Sequence, residues 1–310
     1  MICTVTLNAS IDKAYRIAGR LEVGTVMRVL DCTDTAGGKG LNAARAVATC
    51  GERVVATGFV GGNNGRLLCE LLERDGIPED FVRVAAETRC CVNVLDENET
   101  STEFLEPGRE VSADEFALMR ERLLSIAAQA SVVTIDGSVP RGVSADDYAG
   151  LVELVRGTGT PCILDTSGAL LKCGVKAHPT MVKPNADEIG QLLGRTVTSM
   201  GEVAEAAAEL HEGGVEQVVV SLGGDGAIMA CDDGVFRGLS PKIDVVNPVG
   251  SGDTMVGAFA VAMARGMPRP EQLRFAMGCA SANCLSKYTG HFDMEDARRL
   301  SEGTRVERID

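Results

Sequence analysis

The residues with the most chemistry in them run Asn247-Pro248-Val249-Gly250-Ser251-Gly252-Asp253, directly before the apolar run Met255 to Phe259. Glycines ahead of a helix let the backbone turn tightly and gather several N–H groups at one point. A helix start adds unpaired donors and about half a positive charge. Such a place holds an anion without any cationic side chain. Asp253 falls in the first turn, beside that anion site. A carboxylate there reads in two ways: as an acid that favours the helix dipole, or as a general base next to a developing negative charge. The rest of the chain has to decide between them.

The elements that would position these groups alternate. Ile2–Leu7 reads as a buried strand followed by a turn, Asn8–Lys13, and residues 14–35 as short strands. Ala36-Gly37-Gly38-Lys39-Gly40 opens a helix over Leu41–Cys50; strand Val54–Phe59 leads through Gly61–Gly65 into helix Arg66–Asp75. Thr88–Asp96 and Thr100–Phe104 form a hairpin about Glu97-Asn98-Glu99. Beyond it, helices Ala113–Gln129, Ala145–Arg156, Ala186–Leu193 and Glu202–His211 alternate with strands Val132–Asp136, Cys162–Asp165, Met181–Val182 and Gln217–Leu222. Ala227–Cys231 and Val235–Leu239 make a second hairpin, and helices near 252–265, 270–286 and 293–302 close the chain. The pattern predicts a mostly parallel sheet covered on both faces. The β-rich insertions near 12–35 and 87–105 do not fit that layer and are expected to form a small sheet of their own. In open α/β sheets ligands bind beyond the carboxyl ends of the strands. Seven polar loops fall there: Asn8–Lys13, Gly61–Gly65, Asp136–Pro140, Asp165–Gly168, Lys183–Glu188, Leu222–Gly226 and the opening stretch.

Composition narrows the function. The 310 residues are 45% hydrophobic and carry a net charge of −14, with no run of Lys or Arg. Neither a nucleic-acid surface nor attraction to an anionic membrane fits that balance. An anionic substrate would need local cations set against the overall field. Eleven cysteines, an odd number without a CxxC, sit mostly in apolar runs and read as small core residues. The opening residues show no basic leader or cleavage signal, so a reducing cytoplasm is expected. Three dispersed histidines, His178, His211 and His291, speak against histidine-based catalysis or a histidine-rich metal site.

Two nucleotide signatures fail. Gly38-Lys39 lacks the first glycine and the hydroxyl residue of a Walker A loop. Gly38-Lys39-Gly40-Leu41-Asn42-Ala43 matches GxGxxA but does not closely follow the first strand, which makes a nicotinamide oxidoreductase a poor fit. Taken together, Gly37-Gly38-Lys39-Gly40-Leu41-Asn42-Ala43-Ala44-Arg45 and Asn247–Asp253 resemble the paired signature of the PfkB (ribokinase-like) sugar kinases. The likeness covers essentially the whole chain. Thr6–Asp12, Leu164–Gly168, Lys183-Pro184-Asn185 and Ser221-Leu222-Gly223 resemble the branch that holds 1-phosphofructokinase and tagatose-6-phosphate kinase.

The resemblance implies a single ribokinase-like domain over 1–310, a doubly wound, mostly parallel sheet with a β lid built from the two insertions. It implies ATP-dependent phosphorylation of a ketohexose phosphate, first of all fructose 1-phosphate to fructose 1,6-bisphosphate, with tagatose 6-phosphate or fructose 6-phosphate as alternatives. By the family pattern Asp253 takes the proton of the sugar hydroxyl, and the amides of Gly250, Ser251 and Gly252 hold the transferring phosphoryl group. Asp12, Gly38, Lys39, Asn42 and Ser138 would grip the sugar, and Arg28 and Arg89 its phosphate. Lys183, Ser221, Gly223, Gly226 and Asn283 would line the nucleotide, and Asn185 and Glu188 would hold Mg²⁺ through water. A homodimer through the lid belongs to the same set of expectations. Three departures stand out: Ala9 where the branch has proline, Cys91 where it has asparagine, and Arg141 after Pro140. A sugar-phosphate sensor without catalysis is the competing reading from another class; it would have no need of Asp253.

Overall fold

A computed structural model describes residues 1–98 and 100–310. In chain order the strands are β1 Ile2–Thr6, β2 Ser10–Ile17, β3 Val29–Gly37, β4 Val54–Gly61, β5 Val82–Val84, β6 Arg89–Leu95, β7 Ser101–Leu105, β8 Val132–Asp136, β9 Cys162–Asp165, β10 Met181–Val182, β11 Gln217–Ser221, β12 Ala227–Cys231, β13 Gly234–Leu239 and β14 Arg305–Arg308. The helices are α1 Lys39–Thr49, α2 Gly62–Arg74, α3 Ala113–Ala127, α4 Ala145–Gly157, α5 Gly168–Val175, α6 Ala186–Leu193, α7 Met200–Glu212, α8 Ser251–Ala264, α9 Arg269–Asn283 and α10 Met294–Gly303.

Ten strands form one sheet in the order β14-β13-β12-β11-β10-β9-β8-β1-β4-β5. It is parallel from β11 to β5 and antiparallel from β11 to β14. From β1 the chain first winds outward to β4 and β5, then returns to β8 on the other side and winds toward β11. This reversal puts the topological switch point between β1 and β8, where a ligand crevice forms outside the carboxyl ends of the strands. The central strands are Val- and Ile-rich because both faces are covered. Ile2, Val132, Ile163 and Met181 pack under α1 and α8, with Leu41, Val47 and Phe259. Val5, Val133, Ile135 and Leu164 face the other way, against Met119, Leu123, Tyr148 and Leu151.

Local sequence sets the helix starts. Ser112, Ser144, Asn185 and Ser199 each cap a helix and exchange hydrogen bonds with an acid three residues on: Glu115, Asp147, Glu188 and Glu202. Each such cap contributes about 1 kcal/mol and fixes where the helix begins.

The two insertions pair with each other, as expected, in a separate sheet of order β3-β2-β6-β7. The structure corrects several details. Ser10 already belongs to β2, so Leu7-Asn8-Ala9 joins β1 to β2, and Asp12 lies on a strand rather than in a turn. Gly62 starts α2, four residues before the expected Arg66. Short β5, β14 and the eight-residue α5 escaped the pattern analysis, since elements this short carry too few periods to register. The β6–β7 hairpin pairs Leu95 with Ser101; of its expected turn, Glu99 lies outside the described residues.

Candidate active site

The start of α8 sits over the switch point. Gly250 caps it in the left-handed region, φ 77°, where a side chain would also strike Thr289. Thr254 N–H donates to Gly250 O at 2.8 Å and Ser251 N–H leans toward Pro248 O at 3.3 Å, while the amides of Gly252 and Asp253 have no acceptor among the described residues. Of the Gly250–Gly252 set expected from the sequence, the amides of Gly250 and Gly252 have no acceptor among the described residues, and Asp253 adds a third open donor.

Asp253 is 9% exposed. Its Oδ2 accepts from Asn42 Nδ2 at 2.8 Å and its Oδ1 lies 3.8 Å from Lys39 Nζ. Lys39 Nζ donates to Asp165 Oδ2 at 3.0 Å, and Lys183 Nζ stands 3.3 Å from Asp165 Oδ1. One buried carboxylate thus ties together two lysines far apart in the sequence. Burial raises the Asp253 carboxyl above its ordinary value; Lys39 works against that, and Asp165 adds to it. Burial also works against ionised Asp165, but Lys183 and Lys39 outweigh it and hold that carboxyl below the usual range. The result is one carboxylate kept charged beside another poised to take a proton, the pairing that base catalysis needs.

Asn42 is set by Arg45, whose Nη1 donates to Asn42 Oδ1 at 3.0 Å while Nε reaches Asp75 at 2.8 Å and Nη2 reaches Ala36 O at 2.6 Å. Arg45 belongs to the glycine-rich stretch, and its role in setting Asn42 emerges only in the fold. Asp165 lay in a loop singled out for its position, without the bridging role the structure shows.

Among the residues expected to grip the sugar, Asp12 fills the space beside Gly37: a Cβ there would fall 2.0 Å from the Asp12 carboxyl carbon. Burial pushes the Asp12 carboxyl up, offset by the Ser10 hydroxyl and by Arg89 and Arg45. Ser138 Oγ accepts from Asn8 Nδ2 at 2.9 Å. Arg89 is anchored through Nε to Asn8 O at 3.1 Å and through Nη1 to Glu106 O at 2.8 Å. Gly38 precedes α1 as its cap. Arg28 stands apart: it is exposed between β2 and β3, and no hydrogen bond or ion pair joins it to the other described residues.

The residues expected to line the nucleotide gather at the ends of β10 and β11. Lys183 is 5% exposed, a bridge joins Asn185 to Ser221, and Gly223–Asp225 form a 3₁₀ turn before Gly226. Asn283, expected to lie near the base, ends α9. It is fully buried, and its amide is spent inside the protein, accepting from Gly290 N at 2.8 Å and Thr254 Oγ1 at 3.2 Å and donating to Val249 O at 3.0 Å. It staples the 249 and 290 loops to α8. Asn185 and Glu188 cap α6 reciprocally at 2.8 and 2.9 Å, the latter through Glu188 Oε2. Oε1 of Glu188 is left over. No group of three or more His, Cys, Asp or Glu among the described residues could enclose a metal ion. One carboxylate oxygen and one amide oxygen suit a cation that keeps most of its water, as Mg²⁺ does.

A buried carboxylate and a set of open amides share the first turn of α8, with paired lysines beside them. That is the equipment of an enzyme transferring a phosphoryl group to a hydroxyl. A family model described as the pfkB family carbohydrate kinases matches residues 5–297, and the chain belongs to that family: it is a sugar kinase, a phosphotransferase. Among solved structures, phosphofructokinase-2 of Escherichia coli in complex with fructose-6-phosphate is 30% identical, with a TM-score of 0.91, over 97% of this chain and 98% of that one. A possible 1-phosphofructokinase of Thermotoga maritima is 28% identical over 100% of both chains, with a TM-score of 0.90. Ribokinase of Arabidopsis thaliana, solved with ribose and ATP, is 25% identical over 97% of this chain and 98% of that one, with a TM-score of 0.79, so the fold is ribokinase-like. No helix among the described residues is long and apolar enough to cross a membrane.

Proposed function

We propose that the chain phosphorylates a ketohexose phosphate with ATP, fructose 1-phosphate in the first place, giving fructose 1,6-bisphosphate. The observation that carries the reading is Asp253: a buried carboxylate, held by Asn42 and Lys39, beside the open amides of α8. Asp253 takes the proton of the acceptor hydroxyl as its oxygen bonds to the γ-phosphorus and the bond to the ADP oxygen breaks. The amides of Gly252 and Asp253 receive charge on the transferring group. Lys183 and the Gly223–Gly226 turn border the nucleotide phosphates. Mg²⁺, held through water by Asn185 and Glu188, neutralises phosphate charge when bound.

Asp12, Gly38, Asn42 and Ser138 border the sugar, and anchored Arg89 meets its existing phosphate, with Arg28 joining when the small sheet closes as a lid. That lid also presents an apolar surface, Val23, Val26, Leu30, Phe104 and Leu105, each more than half exposed. A homodimer through this surface is part of the proposal, and sedimentation of the wild type as a monomer at micromolar concentration would remove it.

The likeness to a fructose-6-phosphate complex favours a second substrate reading, fructose 6-phosphate. A coupled ADP-release assay over fructose 1-phosphate, fructose 6-phosphate, tagatose 6-phosphate and fructose separates them. Fructose 1-phosphate is expected to lead in kcat/KM by at least about tenfold, roughly 1.4 kcal/mol of discrimination. A 6-phosphate in the lead overturns the substrate, and no turnover of any sugar phosphate overturns the activity.

A further inference from the structure

One buried acid at the site has no part in the chemistry above. Asp136 ends β8, next to β1 on one side and opposite Asp165 of β9 on the other. It is 2% exposed. Its Oδ2 accepts from the Thr134 hydroxyl, while Oδ1 has no hydrogen-bond partner, and neither has the buried hydroxyl of Thr6 at the end of β1. Both side chains press against the first turn of α1: a Cβ on Gly40 would lie 2.4 Å from Thr6 Oγ1 and 3.1 Å from Asp136 Oδ2. That turn carries Lys39 and leads to Asn42, the two residues that hold Asp253.

The local charges are already matched without Asp136. Lys39 and Lys183 stand against Asp165 and Asp253. A third carboxylate would have no cation of its own, and a buried charge in that position neutralises instead of remaining ionised. An ionised Asp136 would also compete with Asp253 for Lys39. The remaining groups acting on it or acted on by it are Cys3 of β1, Cys162 of β9 and Tyr148 of α4, none of them cationic. Burial first, and Asp165 next, push the Asp136 carboxyl well above the carboxylate range; the Thr134 hydroxyl and Lys39 only partly oppose them.

We infer that Asp136 is a positioning residue carried as the neutral acid, which supports the first turn of α1 and leaves Lys39 to Asp165 and Asp253. The inference rests on Asp253 being the base. Two measurements test it. Denaturant unfolding of the wild type and Asp136→Asn is compared at pH 5, 6, 7 and 8. A carboxyl protonated in the fold and ionised in the unfolded chain weakens the wild type as pH rises, so the ratio of unfolding constants should widen by up to tenfold per pH unit in favour of Asn. A ratio that stays flat or moves the other way overturns the inference.

The second measurement is turnover. Asp136→Leu should lose kcat by tenfold or more, and Asp136→Asn, which keeps the shape and a donor, should restore most of it. Equal losses in the two variants would mean that the charge itself is needed, and would overturn the proposal. Failure of the base reading shows separately, as wild-type turnover in Asp253→Asn, and leaves the unfolding comparison intact.

Discussion

Replacing Lys39 by methionine gives the sharpest test of how the base is tuned. The ammonium lies 3.8 Å from Asp253 Oδ1. Two unit charges at that separation interact by about 4 kcal/mol at an effective dielectric of 20, and by about 1 kcal/mol in bulk water. The Lys39 side chain is 44% exposed, so solvent screens the pair and the lower half of that range applies. At about 1.4 kcal/mol per unit, its loss should raise the Asp253 carboxyl by about one to two units. Asp165 does not relieve this, because Lys183 at 3.3 Å still keeps it ionised and repelling Asp253. The acid limb of the kcat–pH profile should therefore move up by about one to two pH units. Activity lost at pH 6 should return as the pH is raised. Steady-state kcat from pH 5 to 9, at saturating substrates, reads this directly. A limb that stays in place, or a loss equal at every pH, would refute the argument that Lys39 acts through the ionisation of Asp253.

Asp253→Asn should lower kcat by about 10²–10⁴ with little change in either KM. Since burial raises the Asp253 carboxyl, its folded form binds protons more tightly than the unfolded one, and stability falls as pH rises through the folded value. The Asn variant should therefore also melt higher than the wild type at pH 8, by a margin that shrinks toward pH 4; an equal or lower melting point at pH 8 contradicts the raised carboxyl. Gly250→Ala must adopt φ 77° and meet Thr289, so it should be less stable by at least about 1–2 kcal/mol, and near-wild-type unfolding would discredit the cap geometry. Arg89→Ala should raise KM for the sugar phosphate about tenfold or more and leave KM for ATP unchanged. Arg28→Ala should do the same more weakly, and equal losses for both substrates would point instead to general disruption.

The sequence makes plain those features whose cause is local. A glycine-rich run before a helix declares itself, because anion binding by amides needs small residues at one place in the chain. The helix starts at Ala145 and Ala186 are legible for the same reason, because their capping partners lie within one turn. Asp165 and Asp136 are not. Their importance comes from a cross-strand register that brings strand ends together beneath α1, and nothing near either residue in sequence encodes that meeting. Arg45 is hidden in the same way, since its partners Asp75 and Ala36 belong to other elements. Asn283 is half legible: the motif places it near the base, and only the fold shows its amide tying two loops together.

With a net charge of −14, a chain that takes the two phosphate-bearing substrates proposed for it has to oppose its own field at the site. It does so without burying a bare cation. Lys183 is 5% exposed and would be costly to leave alone there, and Asp165 supplies its partner while sharing itself with Lys39. The arrangement can be exchanged. A phosphate oxygen arriving beside Lys183 or Lys39 offers the charge that Asp165 offers now, so the lysine trades one anion for another and does not bind from a solvated state. The amides of Gly252 and Asp253 have no such competitor, because no carboxylate occupies them. Lysines that are paired beforehand add selectivity for a true phosphate over weaker anions, and the open amides supply attraction that grows as charge develops on the transferring group. In the proposed transfer Asp253, held between Asn42 and Lys39, is the group whose charge changes, and the surrounding pairs are placed so that it can.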